Sequence, residues 1–136
     1  SVASSIGVDT EKIKEGLENI VIPGRNELVP NDKDLTIMID YAHTAESVEN
    51  VLNSVKAYTQ GRIICVFGCG GDRDSKKRPL MGAISGNIAD YTIITSDNPR
   101  SEDPSAILKD MENGVPDAYY HSFVNRKQAI FFAIAS

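Results

Sequence analysis

A glycine-rich loop over residues 68–74 contains the residue types in this sequence that are best suited to binding an anion. It reads Gly-Cys-Gly-Gly-Asp-Arg-Asp and follows an apolar run over residues 63–67. A buried strand that ends in glycines, ahead of a helix beginning near Pro79, is the arrangement with which α/β proteins hold anionic ligands. From Asp72 to Arg78, four basic residues outnumber two acids, although the whole chain has a net charge of −5. The loop therefore predicts an anion site, and a solvated surface loop is the alternative.

Two further polar clusters follow predicted strands. Residues 40–43 come directly after the apolar run 35–39, and residues 97–100 come after the run 91–95. Because the carboxyl ends of parallel strands share one edge, where ligands bind, we expect these clusters and the glycine loop to lie together. Loop polarity alone does not explain an aspartate after two strands with arginines beside them. The candidate residues are Asp40, Tyr41, Ala42, His43, Arg73, Asp97, Asn98 and Arg100.

Each cluster also has a structural alternative. Asp40 could cap the helix that follows, although Thr44 is better placed to do so. His43 could be an ordinary loop histidine, and residues 97–99 could form a turn without any ligand, because Asp, Asn and Pro build turns unaided. Arg100 could pair with an acidic neighbour in solvent, which contributes only about 0–1 kcal/mol. The glycine loop lacks the third glycine of a dinucleotide fingerprint, and the chain has no Gly-Lys-Thr phosphate loop.

The hydrophobic pattern predicts alternating strands and helices. Apolar, β-branched runs predict strands, and apolar spacing of three and four residues predicts helices. Short connections between them predict a mostly parallel, Rossmann-like α/β sheet with helices on both faces. Gly82 and Gly86, four residues apart, predict a helix face that packs closely on a neighbour. The predicted helices are 9–18, 44–58, 79–89, 104–113 and 126–136, and the predicted strands are 35–39, 63–67, 91–95 and 118–124.

Composition excludes several classes of protein. The chain is 41% hydrophobic and 24% charged over 136 residues, which is typical of one globular domain. Its acidic balance argues against a nucleic-acid partner. We expect a soluble, cytoplasmic protein, because there is no secretory leader and no apolar run of about 20 residues. Cys65 and Cys69 are too few for a disulfide framework, and with His43 and His121 they do not form a metal-binding spacing.

Four stretches of the sequence resemble the C-terminal domain of the Mur ligases of peptidoglycan synthesis, and the resemblance extends over nearly the entire chain. The resemblance implies that residues 1–20 are the last helix of a preceding central ATPase domain. It implies that residues 21–136 are an amino-acid-binding domain that is incomplete at its C-terminus, since the family's Gly-Lys-Gly-His-Glu motif is absent. Ala45 also replaces a proline common in the family. The stretches are PGRNE (23–27), DYAHT (40–44), FGCGGDRD with KRPLMG (67–74 and 77–82), and DNPR (97–100).

The resemblance also implies a reaction, which is ATP-dependent addition of meso-diaminopimelate to UDP-N-acetylmuramoyl-L-alanyl-D-glutamate through an acyl phosphate. ATP and Mg²⁺ would be held mainly by the central domain of the same polypeptide, whose phosphate loop and carbamylated lysine are expected upstream. No catalytic residue is therefore expected in this chain. The implied nucleotide-binding residues are Arg25, Asp40, Tyr41, Ala42 and His43. The implied amino-acid-binding residues are Arg73, Asp97, Asn98 and Arg100.

Arginines in the implied amino-acid site favour diaminopimelate over lysine. Diaminopimelate carries a second carboxylate, and a guanidinium matches a carboxylate with two parallel hydrogen bonds. A lysine-adding or folylpolyglutamate-type ligase domain is the alternative within the enzyme class. A non-catalytic nucleotide- or metabolite-binding module on the same scaffold is the alternative outside it. An edge that serves only as a protein interface is less compatible with Arg73 and Arg100.

Overall fold

The computed structural model describes residues 2–18, 20, 22–116 and 119–136. Its contacts divide the chain into two compact units, Ser1–Tyr41 and Ala42–Ser136. Each unit has its own sheet.

Among its described residues, the first unit contains two helices and a two-stranded sheet. Helix α1 spans Val2–Ser5 and helix α2 spans Thr10–Glu18, and strands β1 (Glu27–Val29) and β2 (Ile37–Ile39) pair antiparallel. The predicted helix over 9–18 is confirmed. Its first turn is capped by Asp9, whose carboxylate accepts from the backbone N–H of Glu11 at 2.9 Å.

The structure corrects the expectation for the run 35–39. The strand covers only Ile37–Ile39, and its sheet partner is the antiparallel β1 rather than a parallel strand. It is also not buried on both faces, since Ile39 is 47% exposed. The physical reason lies in the turn between the strands, where the Asn31 amide donates to the carbonyls of Val29 and Leu35. This bridge closes a local hairpin.

The second unit alternates helices and strands. Strands β3, β4 and β5 form a parallel sheet in that order, with Ile64 opposite Tyr91 and Thr92 opposite Tyr120. The predicted α/β alternation is thus confirmed in this unit, while Ala118 of the last predicted strand lies outside the described residues. The elements are α3 (Ala45–Tyr58), β3 (Ile64–Phe67), α4 (Lys77–Ile88), β4 (Tyr91–Thr95), α5 (Pro104–Glu112), β5 (Tyr120–Phe123) and α6 (Arg126–Ala135).

Helices cover both faces of the parallel sheet. Ile93 and Ile94 are adjacent in β4 and both are fully buried. Because adjacent strand residues point to opposite faces, each face of the central strand must be covered. The predicted cap of α3 is also confirmed: Thr44 accepts from the backbone N–H of Ser47 at 3.2 Å, and the Ser47 hydroxyl accepts from the backbone N–H of Thr44 at 2.9 Å.

Helices α4 and α5 pack at very short range because of glycine. A Cβ atom added at Gly82 would overlap the backbone carbonyl oxygen of Met111, and one added at Gly86 would lie 2.5 Å from the Pro116 ring. The predicted packing role of the two glycines is confirmed. In the described residues, no helix is both long and apolar enough to cross a membrane.

The close approach at Gly82 makes a stability prediction. Gly82→Ala should lower the free energy of unfolding by about 1–2 kcal/mol, because overpacking outweighs the gain in helix propensity. Gly61→Ala is the matched control, since Gly61 is in the same unit and a Cβ there meets nothing within 4 Å. Urea denaturation measures both variants, and equal stability of the two would contradict the packing account.

Candidate functional site

The loops that follow β3 and β4 are bonded to each other at the carboxyl edge of the parallel sheet. The backbone N–H of Gly71 donates to the carbonyl of Asn98 at 2.9 Å. In return, the guanidinium of Arg100 donates to the carbonyl of Gly71 through Nη1. The structure therefore brings together the glycine loop and the 97–100 cluster, as predicted. The reason for expecting residues 40–43 at the same edge is wrong, because β2 pairs antiparallel with β1 and is not a strand of the parallel sheet.

Glycines 68 and 71 allow the two loops to approach each other. A Cβ atom at Gly71 would overlap the carbonyl oxygen of Pro99, and one at Gly68 would overlap the carbonyl oxygen of Thr95. Side chains at these positions would force the loops apart. The glycine signal in the sequence thus has a definite structural cause, which is contact between backbones.

Two residues of these loops hold a backbone conformation that L-residues rarely adopt. Asp72 has a φ of 52° and Arg100 has a φ of 51°, both in the left-handed region. Glycine occupies this region without strain, and aspartate tolerates it better than arginine does. Arg100 therefore depends on its surroundings to keep this conformation.

Asp72 lies in the loop after β3 (residues 68–76, the first loop). Its side chain is bonded to the loop after β4 (residues 96–103, the second loop). Its carboxylate accepts from the hydroxyl of Ser101 at 2.6 Å and from the backbone N–H of Ser101 at 3.3 Å. The Ser101 hydroxyl is the main cause that lowers the pKa of Asp72, followed by the Ser101 N–H and then by the charges of Arg100 and Arg73. Asp72 is thus held as a carboxylate between the two loops.

Arg78 departs from its predicted role. It is only 2% exposed, and its guanidinium bridges Glu102 at 2.8 Å and Asp110 at 2.9 Å. Hydrogen bonds to Glu102 and then to Asp110 raise the pKa of Arg78 above its ordinary range, so it stays cationic. Its charge is compensated inside the protein, and it cannot be counted among the basic residues that give the loop its affinity for an anion.

Glu102 links this buried arginine to the loops, and sequence reasoning missed it. One carboxylate oxygen, Oε1, accepts from both Arg78 and the backbone N–H of Asp72. Hydrogen bonding to Arg78 is the main cause that lowers the pKa of Glu102. A sequence signal for a buried arginine was present, because Arg78 shares one helical stripe with Gly82 and Ser85.

The predicted amino-acid-binding residues lie at the surface of this edge. Arg73, Asp97, Asn98 and Arg100 are all exposed. Beside them, Cys69 is buried, with its sulfur 3.6 Å from that of Met81. Burial is the main cause that raises the pKa of the Cys69 thiol, against the lowering effect of Lys77 and Arg78.

The predicted nucleotide-binding residues are divided between the two units. In the first unit, the Arg25 guanidinium lies over the Tyr41 ring, 5.2 Å from its centroid, and Asp40 accepts from the backbone N–H of Asn26 at 3.0 Å. In the second unit, the carbonyl of His43 accepts from Lys77 at 3.3 Å. Ala42 packs against the hydrophobic core of that unit.

Comparison with known proteins identifies the family. The model of the Mur ligase glutamate ligase domain matches residues 24–136. This chain belongs to the Mur ligase family. The match begins within the first unit and includes the whole of the second.

Similar Mur ligases are known from Bacillus. The chain is 52% identical, over its whole length, to the UDP-N-acetylmuramoyl-L-alanyl-D-glutamate–2,6-diaminopimelate ligase of Bacillus licheniformis. It is 54% identical, over 99% of its length, to the ligase of the same name from Bacillus velezensis. The chain spans only 28% and 27% of the length of these two relatives.

Solved structures share this Mur ligase fold. A diaminopimelate ligase of the same name superimposes with a TM-score of 0.74 at 36% identity, over 96% of this chain and 27% of that one. A Mycobacterium tuberculosis folylpolyglutamate synthase complexed with ADP superimposes with a TM-score of 0.73 at 24% identity, over 99% of this chain and 30% of that one. The second likeness shows a shared fold alone.

The lowered pKa values of Asp72 and Glu102 predict how this Mur ligase domain responds to acid. A carboxylate with a lowered folded-state pKa stabilises the fold fully above the ordinary carboxyl range of about 4, and this contribution is lost as the pH falls through the lower folded-state value. The free energy of unfolding should therefore decrease below about pH 5. Asp72→Asn should flatten this slope, and Ser101→Ala should flatten it in part.

Urea denaturation at a series of pH values between about 3 and 7 measures the slope. A slope for Asp72→Asn equal to that of the unsubstituted protein would contradict the assigned bonding of Asp72.

Proposed function

We propose that this chain is the C-terminal part of an ATP-dependent ligase that adds meso-diaminopimelate to UDP-N-acetylmuramoyl-L-alanyl-D-glutamate. The main support is the identity of 52–54% to ligases that carry this name, across almost the entire chain. In this proposal, residues 1–20 contain α1 and α2 and are the end of a central ATPase domain, with α2 as its last helix, and residues 21–136 bind the incoming amino acid. Since ATP is the phosphoryl donor, we place the reaction in the cytoplasm.

The joined loops of the second unit supply the observation that supports an amino-acid site. They present two exposed arginines, Arg73 and Arg100, with Asp97 and Asn98 beside Arg100 in sequence. Guanidinium groups bind carboxylates with paired hydrogen bonds, and a carboxylate such as that of Asp97 pairs with an ammonium group. Diaminopimelate has two groups of each kind, so its charges complement those of this edge.

Arg25, Asp40 and Tyr41 fit a nucleotide in type and placement. Arg25 is held above the Tyr41 ring and can direct its guanidinium to a phosphate. Asp40 is a carboxylate in the same unit, and a carboxylate can accept from ribose hydroxyls. We assign Ala42 and His43 to the same role from their place in the DYAHT stretch.

The chemistry that ATP supplies in this proposal is activation of the D-glutamate side-chain carboxylate as an acyl phosphate. The residues of this chain then hold the amino acid so that its amine can attack the activated carbonyl, and orientation of this kind accounts for much of catalysis in general. Among the described residues, no group of three or more His, Cys, Asp or Glu is arranged to hold a metal ion. We assign Mg²⁺ to the central domain because the resemblance to the Mur ligases implies it.

Substrate choice tests this function in the complete ligase that contains the chain. With ATP and the UDP-linked dipeptide, we expect amide formation with meso-diaminopimelate and not with L-lysine, because lysine leaves one arginine without a carboxylate. Turnover with lysine would assign the chain to a lysine-adding ligase. No turnover with either amino acid, from a protein that binds ADP, would favour a binding module.

Arg100→Ala separates the two proposed sites. The KM for diaminopimelate should rise at least about tenfold, since one carboxylate contact is lost, whereas the KM for ATP should change little. Arg62→Ala is the control, because Arg62 donates to the carbonyl of Ser136, away from the loops. An equal increase in both KM values for Arg100→Ala would refute the assigned role.

A further inference from the structure

Asp72 directs all of its described bonds toward the second loop, although it is exposed and belongs to the first. Its N–H donates to Glu102, and its carboxylate accepts twice from Ser101. Ser101 directly follows Arg100, and Asp72 directly precedes Arg73. The carboxylate of Asp72 therefore joins the backbone positions next to both arginines of the proposed amino-acid site.

The backbone strain lies at the same place. Asp72 and Arg100 both have left-handed φ values, and a strained backbone persists only where its surroundings impose it. On the Arg100 side, these surroundings are the bonds of Ser101 and Glu102 to Asp72. On the Asp72 side, they include the bond from the Arg100 guanidinium to the carbonyl of Gly71. Each strained residue is thus held by the loop of the other.

Glu102 anchors this arrangement to the protein interior. The oxygen that accepts from Asp72 also accepts from Arg78 at 2.8 Å, and Arg78 is buried against Asp110 as well. Arg78 therefore holds Glu102 from the interior, and Asp72 and Ser101 are exposed parts of the same network. The bonds of Asp72 contribute to stability, and because they join the backbone positions next to Arg73 and Arg100, they also restrict where these two arginines can lie.

We infer that Asp72 is a positioning residue for the amino-acid site, which holds Arg73 and Arg100 in the directions that receive the carboxylates of the substrate. This inference rests on the proposed function. In this role Asp72 does not contact the substrate. The bonds between Asp72 and Ser101 contribute to selection of the amino acid by fixing the two arginines that bind it. Loss of these bonds should weaken amino-acid binding and leave nucleotide binding unchanged.

Steady-state kinetics of the complete ligase test the inference. Asp72→Ala should raise the KM for diaminopimelate about tenfold or more, with the KM for ATP within about twofold of the unsubstituted enzyme. Ser101→Ala should act in the same direction, and the double variant should be no worse than Asp72→Ala, because both changes remove one interaction. Asp72→Asn, which retains an acceptor oxygen, should restore part of the loss.

Two controls separate positioning from general damage. Asp74→Ala removes another carboxylate of the first loop, which accepts from the backbone N–H of Lys76. This variant should leave both KM values unchanged. Asp72→Gly relieves the left-handed backbone but still lacks the carboxylate, so it should be as impaired as Asp72→Ala. Parallel changes in both KM values, or full activity of Asp72→Gly, would overturn the inference.

Nuclear magnetic resonance of the arginine Nε–H groups gives a readout that needs no substrate. In the complete ligase, the Arg100 Nε–H order parameter should fall in Asp72→Ala and Ser101→Ala and stay unchanged in Asp74→Ala. If the unsubstituted ligase does not use diaminopimelate, the proposed function is wrong, and this measurement still decides whether Asp72 orients Arg100. An Arg100 signal that is unchanged in Asp72→Ala would refute the positioning role.

Discussion

The ion pairs of Arg78 are the constraint on which the two loops at the carboxyl edge of the parallel sheet depend. A buried guanidinium needs partners for its charge, and the two Nη groups of Arg78 find them in Glu102, at the end of the second loop, and in Asp110 of α5. Meeting this need brings Glu102 to the backbone of Asp72. The position of an exposed loop is thus determined by the electrostatic requirement of a residue inside the protein.

Two glycines allow the close backbone contacts on which the position of these loops also depends. Gly71 allows the backbone of the first loop to contact Pro99, and Gly82 allows the helix that carries Arg78 to contact α5. Without the second contact, Asp110 would lie farther from the guanidinium. The packing of α4 on α5 therefore affects the position of the two loops, although Gly82 and Gly71 lie in different elements.

The sequence predicted features that depend on local pattern. The strand over 91–95 and the Thr44 cap are as expected, since a buried apolar run and a capping residue act within a few residues. The meeting of the two loops was also predictable, because neighbouring parallel strands end at one edge. The roles assigned to Arg73, Asp97, Asn98 and Arg100 remain predictions.

Features that depend on distant partners could not be predicted. The run 35–39 is compatible with either a parallel or an antiparallel neighbour, and its pairing depends on the Asn31 bridge in the turn. The helical stripe that Arg78 shares with Gly82 and Ser85 indicates burial, but its partner Asp110 lies 32 residues away and has no sequence signal. The left-handed conformation of Arg100 has no sequence signal, because arginine does not favour it.

Burial of Cys69 has a consequence for the reactivity of its thiol. Thiolate is the form of cysteine that attacks electrophiles and is oxidised, and desolvation makes it scarce at neutral pH in this loop. Because Cys69 is only 3% exposed, a reagent should reach its sulfur only through a local opening of the protein. The rate of Cys69 alkylation therefore measures how often this loop opens, and the measurement needs no added label.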